Sequence, residues 1–273
     1  MTETIAPVSI HVRELDQGPD ENTPRYWFGD DIFVTHFFNA LSSTFPEGER
    51  FFIRSVRRYA DQIDDGPLAR EVTAFVGQEG RHSKAHDVHV ALLVNQGYGV
   101  LRTINRIQRV VMTWLNDSAP RLSLALTTAI EHVTAVTAHQ ILEHPDVWTD
   151  AMDPSMQRLW RWHAVEETEH KAVAFDVYQQ ADGSVWLRRL AMVDATFGFL
   201  AEIFMRHSLM LIKDRQFRPT VLLRGFKTLF GRDGFVRALL PHLMDFYRRD
   251  FHPWDHENRA LLEKRKLEWG LAG

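Results

Sequence analysis

The sequence predicts an all-α protein, and three observations lead there. Apolar residues recur at three- and four-residue intervals through most of the chain after Trp27, as on an amphipathic helix. No run alternates apolar and polar positions with β-branched enrichment, as a half-buried strand would. The periodic stretches are punctuated by short helix-stopping or helix-starting signals: "DDGP", "NQGYG", "DSAP", "HPD" and "ADG".

The elements follow in order. Residues 1–25 are polar and proline-containing and read as an N-terminal arm, leaving 26–273 as a single helical domain, long enough for a sizeable core. "DIFVTHFFNALSSTF" (31–45) predicts a short, nearly all-apolar helix, with Pro46 opening the next, because a first-turn N–H would go unsatisfied anyway. Residues 47–63 read as an amphipathic helix. A long helix is expected over 67–96, where the glycines of "NQGYG" suit a C-terminal cap. Helices are then expected over 101–116 and 119–142. A further one over 153–180 has Asp153 as its cap and Pro154 in its first turn. Another helix spans 184–213, and shorter helices fill 220–268.

Composition narrows the function. A net charge of −4 gives no general pull towards nucleic acid, and no glycine-rich phosphate loop follows a strand. The absence of cysteine excludes disulfides, thiolate metal sites, cysteine nucleophiles and an iron–sulfur cluster held by this chain. No basic start precedes an apolar run, and no stretch approaches 18 uncharged apolar residues, so a soluble, cytoplasmic protein is expected.

The chemistry lies in "RWHAVEETEH" (161–170). At about 100° per residue, His163 and His170 fall about 40° and 60° from Glu167, so the three side chains share one helix face. Three other expected helices carry related residues: Glu49 in "PEGERFF", Glu79 and His82 in "QEGRH", and Glu131 in "AIEHVTA". In order these read Glu, Glu-x-x-His, Glu, Glu-x-x-His, the ligand order of di-iron and di-manganese carboxylate sites in four-helix bundles. Two adjacent cations repel, and four carboxylates neutralise and bridge them, while each imidazole is a borderline ligand suited to iron, manganese or zinc. Glu131 stands among small apolar residues, where an unpaired charge would be costly. Glu47, directly after Pro46, gains from the helix dipole in a first turn, so Glu49 is preferred to it. His86, Glu166 and His132 are candidates for groups that hold the ligands in place, and His89 continues the face of His86. "HPWDH" (252–256) reads as surface packing, and Phe52, Phe75 and Trp162 are candidate walls of a substrate pocket.

"FPEGERFFIRSVRRY", "FVGQEGRHSKAH", "AIEHVTA", "WHAVEETEHKAVAFDVY" and "DFHPWDHE" together resemble the bacterial family of predicted metal-dependent hydrolases, over about residues 25–258. The ligand order, with its extra histidine, is also similar to that of the di-iron arylamine N-oxygenases. That similarity implies a ferritin-like four-helix bundle (47–63, 67–96, 119–142, 153–180) with additional C-terminal helices. It also implies Glu49, Glu79, His82, Glu131, His163, Glu167 and His170 as the seven ligands of two iron ions, with manganese or zinc as substitutes.

The leading expectation is a non-haem di-iron oxidoreductase that activates O₂ on a small organic substrate, with Glu49, Glu79, Glu131 and Glu167 as the catalytic carboxylates. Electrons would come from an external donor or the substrate. The alternative is a di-metal hydrolase whose ions lower the pKa of a bound water. A third is a helical module merely stabilised by metal. Residues 213–249 are amphipathic, with nine Lys/Arg against three Asp, which suits a peripheral membrane or lipid contact. A homodimer is also compatible with the sequence.

Overall fold

A computed structural model describes residues 8–63, 66–181 and 183–272. Residues 1–7 of the expected arm, Asp64 and Asp65 of "DDGP", Asp182 of "ADG" and residue 273 lie outside the described residues. The all-α expectation holds. Among the described residues no strand forms, and one antiparallel bridge joins Phe28 to Met152.

The helices are α1 (Ile32–Arg57), α2 (Pro67–Asn95), α3 (Val100–Ser118), α4 (Pro120–Glu143), α5 (Pro145–Trp148), α6 (Pro154–His170), α7 (Val173–Gln180), α8 (Val185–Lys213), α9 (Pro219–Phe230), α10 (Phe235–Asp245) and α11 (Arg259–Glu268). Short 3₁₀ turns lie at Ala60–Gln62 and Pro253–Asp255. Asp31, Asp153 and Ser184 cap α1, α6 and α8 by accepting backbone N–H bonds. Helix α1 packs on α2 and α4 on α6, while α8 lies across α1 and α4.

Two boundaries differ from expectation. Pro46 does not start a helix; it lies inside α1, which runs unbroken from Ile32 to Arg57. A mid-helix proline removes a hydrogen bond and crowds the preceding turn, releasing carbonyls there. Distant side chains hold the next two carbonyls of that turn: Arg206 Nη1 donates to Ser43 O at 3.1 Å, and Gln108 Nε2 donates to Thr44 O at 3.1 Å. The expected helix over 153–180 is split after His170, with no proline or glycine at the break. Lys171 turns out to donate to His256 O at 2.7 Å and Asn258 Oδ1 at 2.8 Å, with Nζ 3.9 Å from the Trp254 ring. "HPWDH" thus packs over the α6–α7 break, and His252 pairs with Asp176 at 3.0 Å.

The described part of the arm runs without helix along α2 and α6. His11 O accepts from Gln78 Nε2, and Arg13 reaches Glu166 and Glu169. Helix α8 is long and apolar enough to cross a membrane by composition alone, but its inner face packs on α1 and α4 and buries Arg188 and Arg206. Residues 213–249 form the end of α8 with α9 and α10, and leave Leu223, Phe226 and Met244 exposed.

Candidate metal centre

Helices α1, α2, α4 and α6 each send acidic or imidazole side chains into one buried region. Glu49, Glu79, His82, Glu131, His163, Glu167 and His170 are all buried, none more than 3% exposed. They fall into two sets of converging donors. Glu49, His82 and His163 offer ligand atoms within 4.8 Å of one another, and so do Glu79, Glu167 and His170. Glu131 joins the second set, with Oε2 3.4 Å from His170 Nε2.

Two carboxylates link the sets. Glu79 Oε1 lies 3.2 Å from His82 Nδ1 and 3.4 Å from His170 Nε2. Glu167 Oε1 accepts from His163 Nε2 at 2.8 Å, while Oε2 lies 3.6 Å from His170 Nε2. Glu49 and Glu131 stand at the two flanks. The i, i+3 spacing creates this arrangement, because it stacks a carboxylate and an imidazole on adjacent turns of one helix.

Buried polar atoms almost always find hydrogen-bond partners. Here both oxygens of Glu49, both of Glu131, Oε2 of Glu79, Oε2 of Glu167 and Nε2 of His170 have none. These orphaned donor atoms point at one another across two short gaps, and carboxylate with imidazole suits iron, manganese or zinc. The residues fit a pair of divalent cations.

The electrostatics agree. Burial, with the Glu79 carboxylate nearby, holds the Glu49 carboxyl well above the usual range. Burial pushes Glu131 up to about 8 despite its contact with His170. Burial would raise Glu167 too, yet the neighbouring His170 and His163 hold it well below the usual range. Burial opposes charge on His82 and His170, but Glu166 and Glu79 beside the first, and Glu167 and Glu131 beside the second, hold both imidazoles well above their ordinary value. Protons therefore occupy this region where cations would otherwise balance the charge.

Outer groups orient the donors. His82 Nε2 bonds Glu166 Oε2 at 3.0 Å, which turns Nδ1 inward. Glu166 also accepts from the Arg13 backbone N–H at 2.9 Å. His170 Nδ1 donates to Gln78 Oε1 at 2.8 Å, which leaves Nε2 facing the carboxylates. A row of bonds runs outward from the third imidazole: His163 Nδ1 to His86 Nε2 at 2.6 Å, then His86 and His89, each through Nδ1, to Ser42 Oγ at 2.7 Å. Burial, with His163 and His89 adjacent, keeps His86 well below its ordinary value, and burial lowers His89 to about 3. Both are neutral.

His86 and Glu166 thus stand where the sequence expected support. His132 does not. Next to Glu131 and about 100° round the helix, it points away, bonding His242 O at 3.0 Å and stacking on Phe246. Glu47 also faces away, held by Arg50 and Arg109. Phe75 and Trp162 pack edge-on against His170 and His82, as core. Sequence reasoning missed Gln78 and Ser42. Gln78 was visible as the residue before Glu79, but nothing local indicates that it meets His170 or Glu169. A further cluster, His242, Asp245 and His256, lies half-exposed behind α4, where His256 and Asp245 already pair at 2.9 Å.

An all-α chain with two converging sets of carboxylate and imidazole donors is a helical metal-binding protein. The chain belongs to the predicted metal-dependent hydrolase family, whose sequence model matches residues 11–257. Comparison with curated proteins and with solved structures finds no match.

Proposed function

We propose that the chain is a two-metal hydrolase, with its seven donors arranged as in a ferritin-like bundle. The orphaned oxygens of Glu49, Glu79, Glu131 and Glu167, facing three imidazoles, carry the two-metal part of this reading, and family membership supports hydrolysis. Glu49, His82 and His163 would hold one ion and Glu131 and His170 the other, with Glu79 and Glu167 shared. Bound, such a pair supplies Lewis acidity and lowers the pKa of a coordinated water.

The chain's own residues do the rest. Glu166 and Gln78 fix the outward nitrogens of His82 and His170, so that only one nitrogen of each ring faces inward. Phe75, Trp162 and Phe45 cover the imidazole faces and keep bulk water out. A small cavity of about 20 Å³ adjoins His163 and Glu167, where the substrate's reacting group would meet the hydroxyl-bearing Thr134 and Thr137.

A second reading, oxygen activation at two irons, draws on one observation: four buried carboxylates surround the gaps, and carboxylates tolerate shifts of coordination as charge changes. The two separate experimentally. Protein reconstituted with Zn²⁺, Mn²⁺ or Fe²⁺ should hold two ions per chain and cleave ester or phosphoester substrates under nitrogen. Loss of all activity without O₂, with a visible band appearing when the ferrous protein meets air, would reject hydrolysis in favour of oxygen chemistry.

A further inference from the structure

A second, larger void of about 190 Å³ lies between α1, α3, α4 and α8. Its walls are mostly apolar, with Phe52 from α1, Met112 and Leu115 from α3, Leu126 from α4 and Ala195 from α8, and with Thr44 and Gln108 among the polar members. Two further wall residues, Phe45 and Phe199, also line the small cavity at His163 and Glu167. A partition that includes these two rings is therefore what separates the void from the donor set. At its outer side Val111 reaches the surface, and Val110 and Trp114 of α3 and Leu190 and Phe197 of α8 are exposed as well, the last by 70%.

Two acidic groups stand in the same wall. Glu202 pairs with Arg206 at 2.6 Å, and the Asp194 side chain lies at the solvent-exposed mouth of the void. A carboxylate at the mouth disfavours an anionic ligand and tolerates a neutral one.

We propose that the chain takes a neutral, slender, apolar-chain substrate that passes between α3 and α8. Its body lies against Phe52, Met112 and Leu126, and its reacting end passes Phe45 and Phe199 to reach the His163–Glu167 side of the donor set. The reacting-end part rests on the two-metal reading above; the apolar site itself does not. Ligand sites are typically apolar clefts with a few polar groups at the reacting end, and this void has that form.

The test uses the full chain reconstituted with Zn²⁺. N-phenyl-1-naphthylamine reports occupancy by fluorescence, and straight-chain primary alcohols from hexanol to dodecanol compete with it. One saturable site per chain is expected, with affinity for the alcohols rising about fourfold per added methylene until the void is filled. Met112→Trp fills the void and should weaken binding at least tenfold while leaving the melting temperature and the two bound ions unchanged. Phe199→Ala removes part of the partition, so the rise in affinity should continue to longer alcohols. Absence of a saturable site, affinity independent of chain length, or binding indifferent to both substitutions would overturn the proposal. Failure of the chain to take up Zn²⁺, with alcohol binding intact, would keep the apolar site and remove its role as a substrate channel. Two ions without alcohol binding would leave the metal reading intact and end this one.

Discussion

At Glu131 the competition between burial and charge can be read on a single side chain. Its carboxyl is moved from an ordinary 4.5 to about 8, so the folded metal-free protein keeps it protonated while an unfolded chain would not. Stability supplied by that proton is full below about pH 4.5 and is lost as pH climbs through about 8. Thermal melts of metal-free protein should therefore weaken across that window, and metal should reverse the trend. Cations entering at pH 7 must also displace protons from Glu49, Glu131, His82 and His170, so metal affinity should rise with pH. Titration calorimetry in buffers of different ionisation heat checks this, and zero net proton release would contradict the donor assignment. Glu166→Ala removes the acceptor that orients His82 and should cost on the order of 10–100-fold in metal affinity, seen by chelator competition.

The row from His163 to His89 makes a finer test. Without metal, His163 Nε2 donates to Glu167, so each bond in the row points inward and His89 carries its proton on Nδ1. An ion held by His163 Nε2 would move that ring's proton to Nδ1 and reverse every bond, leaving the His89 proton on Nε2. Nitrogen-15 spectra of the imidazoles should show the exchange of tautomers on loading, with no change in the row's total protons. At this scale the sequence was informative wherever a relation lay within one helix. Glu79 with His82, and Glu167 with His163 and His170, were legible from spacing alone. The spanning roles of Glu79 and Glu167, and the bond from Gln78 to His170, depend on how α2 meets α6, which no local pattern encodes.

Among the elements, α1 shows why boundaries were harder than existence. Pro46 is a sound stop signal, and it fails here where Arg206 and Gln108, more than 60 residues away, brace the Ser43 and Thr44 carbonyls of the turn before it. Arg206 is fully buried and also bonds Gln108 Oε1 at 2.7 Å and Glu202 at 2.6 Å. Arg206→Met should destabilise the fold by about 3 kcal/mol, since several buried acceptors lose their donor at once. Urea melts measure this, and a cost near zero would show that Pro46 is tolerated for some other reason. The break after His170 was equally hidden. It coincides with Lys171 reaching the segment around His256, 85 residues on. The long helices α2, α3, α4 and α8, by contrast, fall within one or two residues of their expected limits, because caps and periodicity agree there.

Across the whole molecule, distant parts of the chain meet at one carboxylate. Arg13 Nη2 contacts Glu169 Oε1 at 2.8 Å, Lys266 Nζ approaches the same oxygen at 3.1 Å, and Arg13 Nε donates to Leu271 O at 2.8 Å. Glu169 points away from the donor set, but it shares helix α6 with Glu166, and Arg13 touches both. Arg13→Ala should leave Glu166 and Glu169 short of a buried partner, lower the melting temperature by several degrees and speed loss of metal to a chelator.

That three-way contact has a consequence for how the centre meets the outside. The Arg13 side chain keeps 11% of its surface exposed against none for Glu169, so dissolved ions reach this contact before they reach the sealed donors. Undocking of the N-terminal arm would then be a local event, easier than unfolding, and the rate at which cations escape or arrive should rise with the buffer's ionic strength.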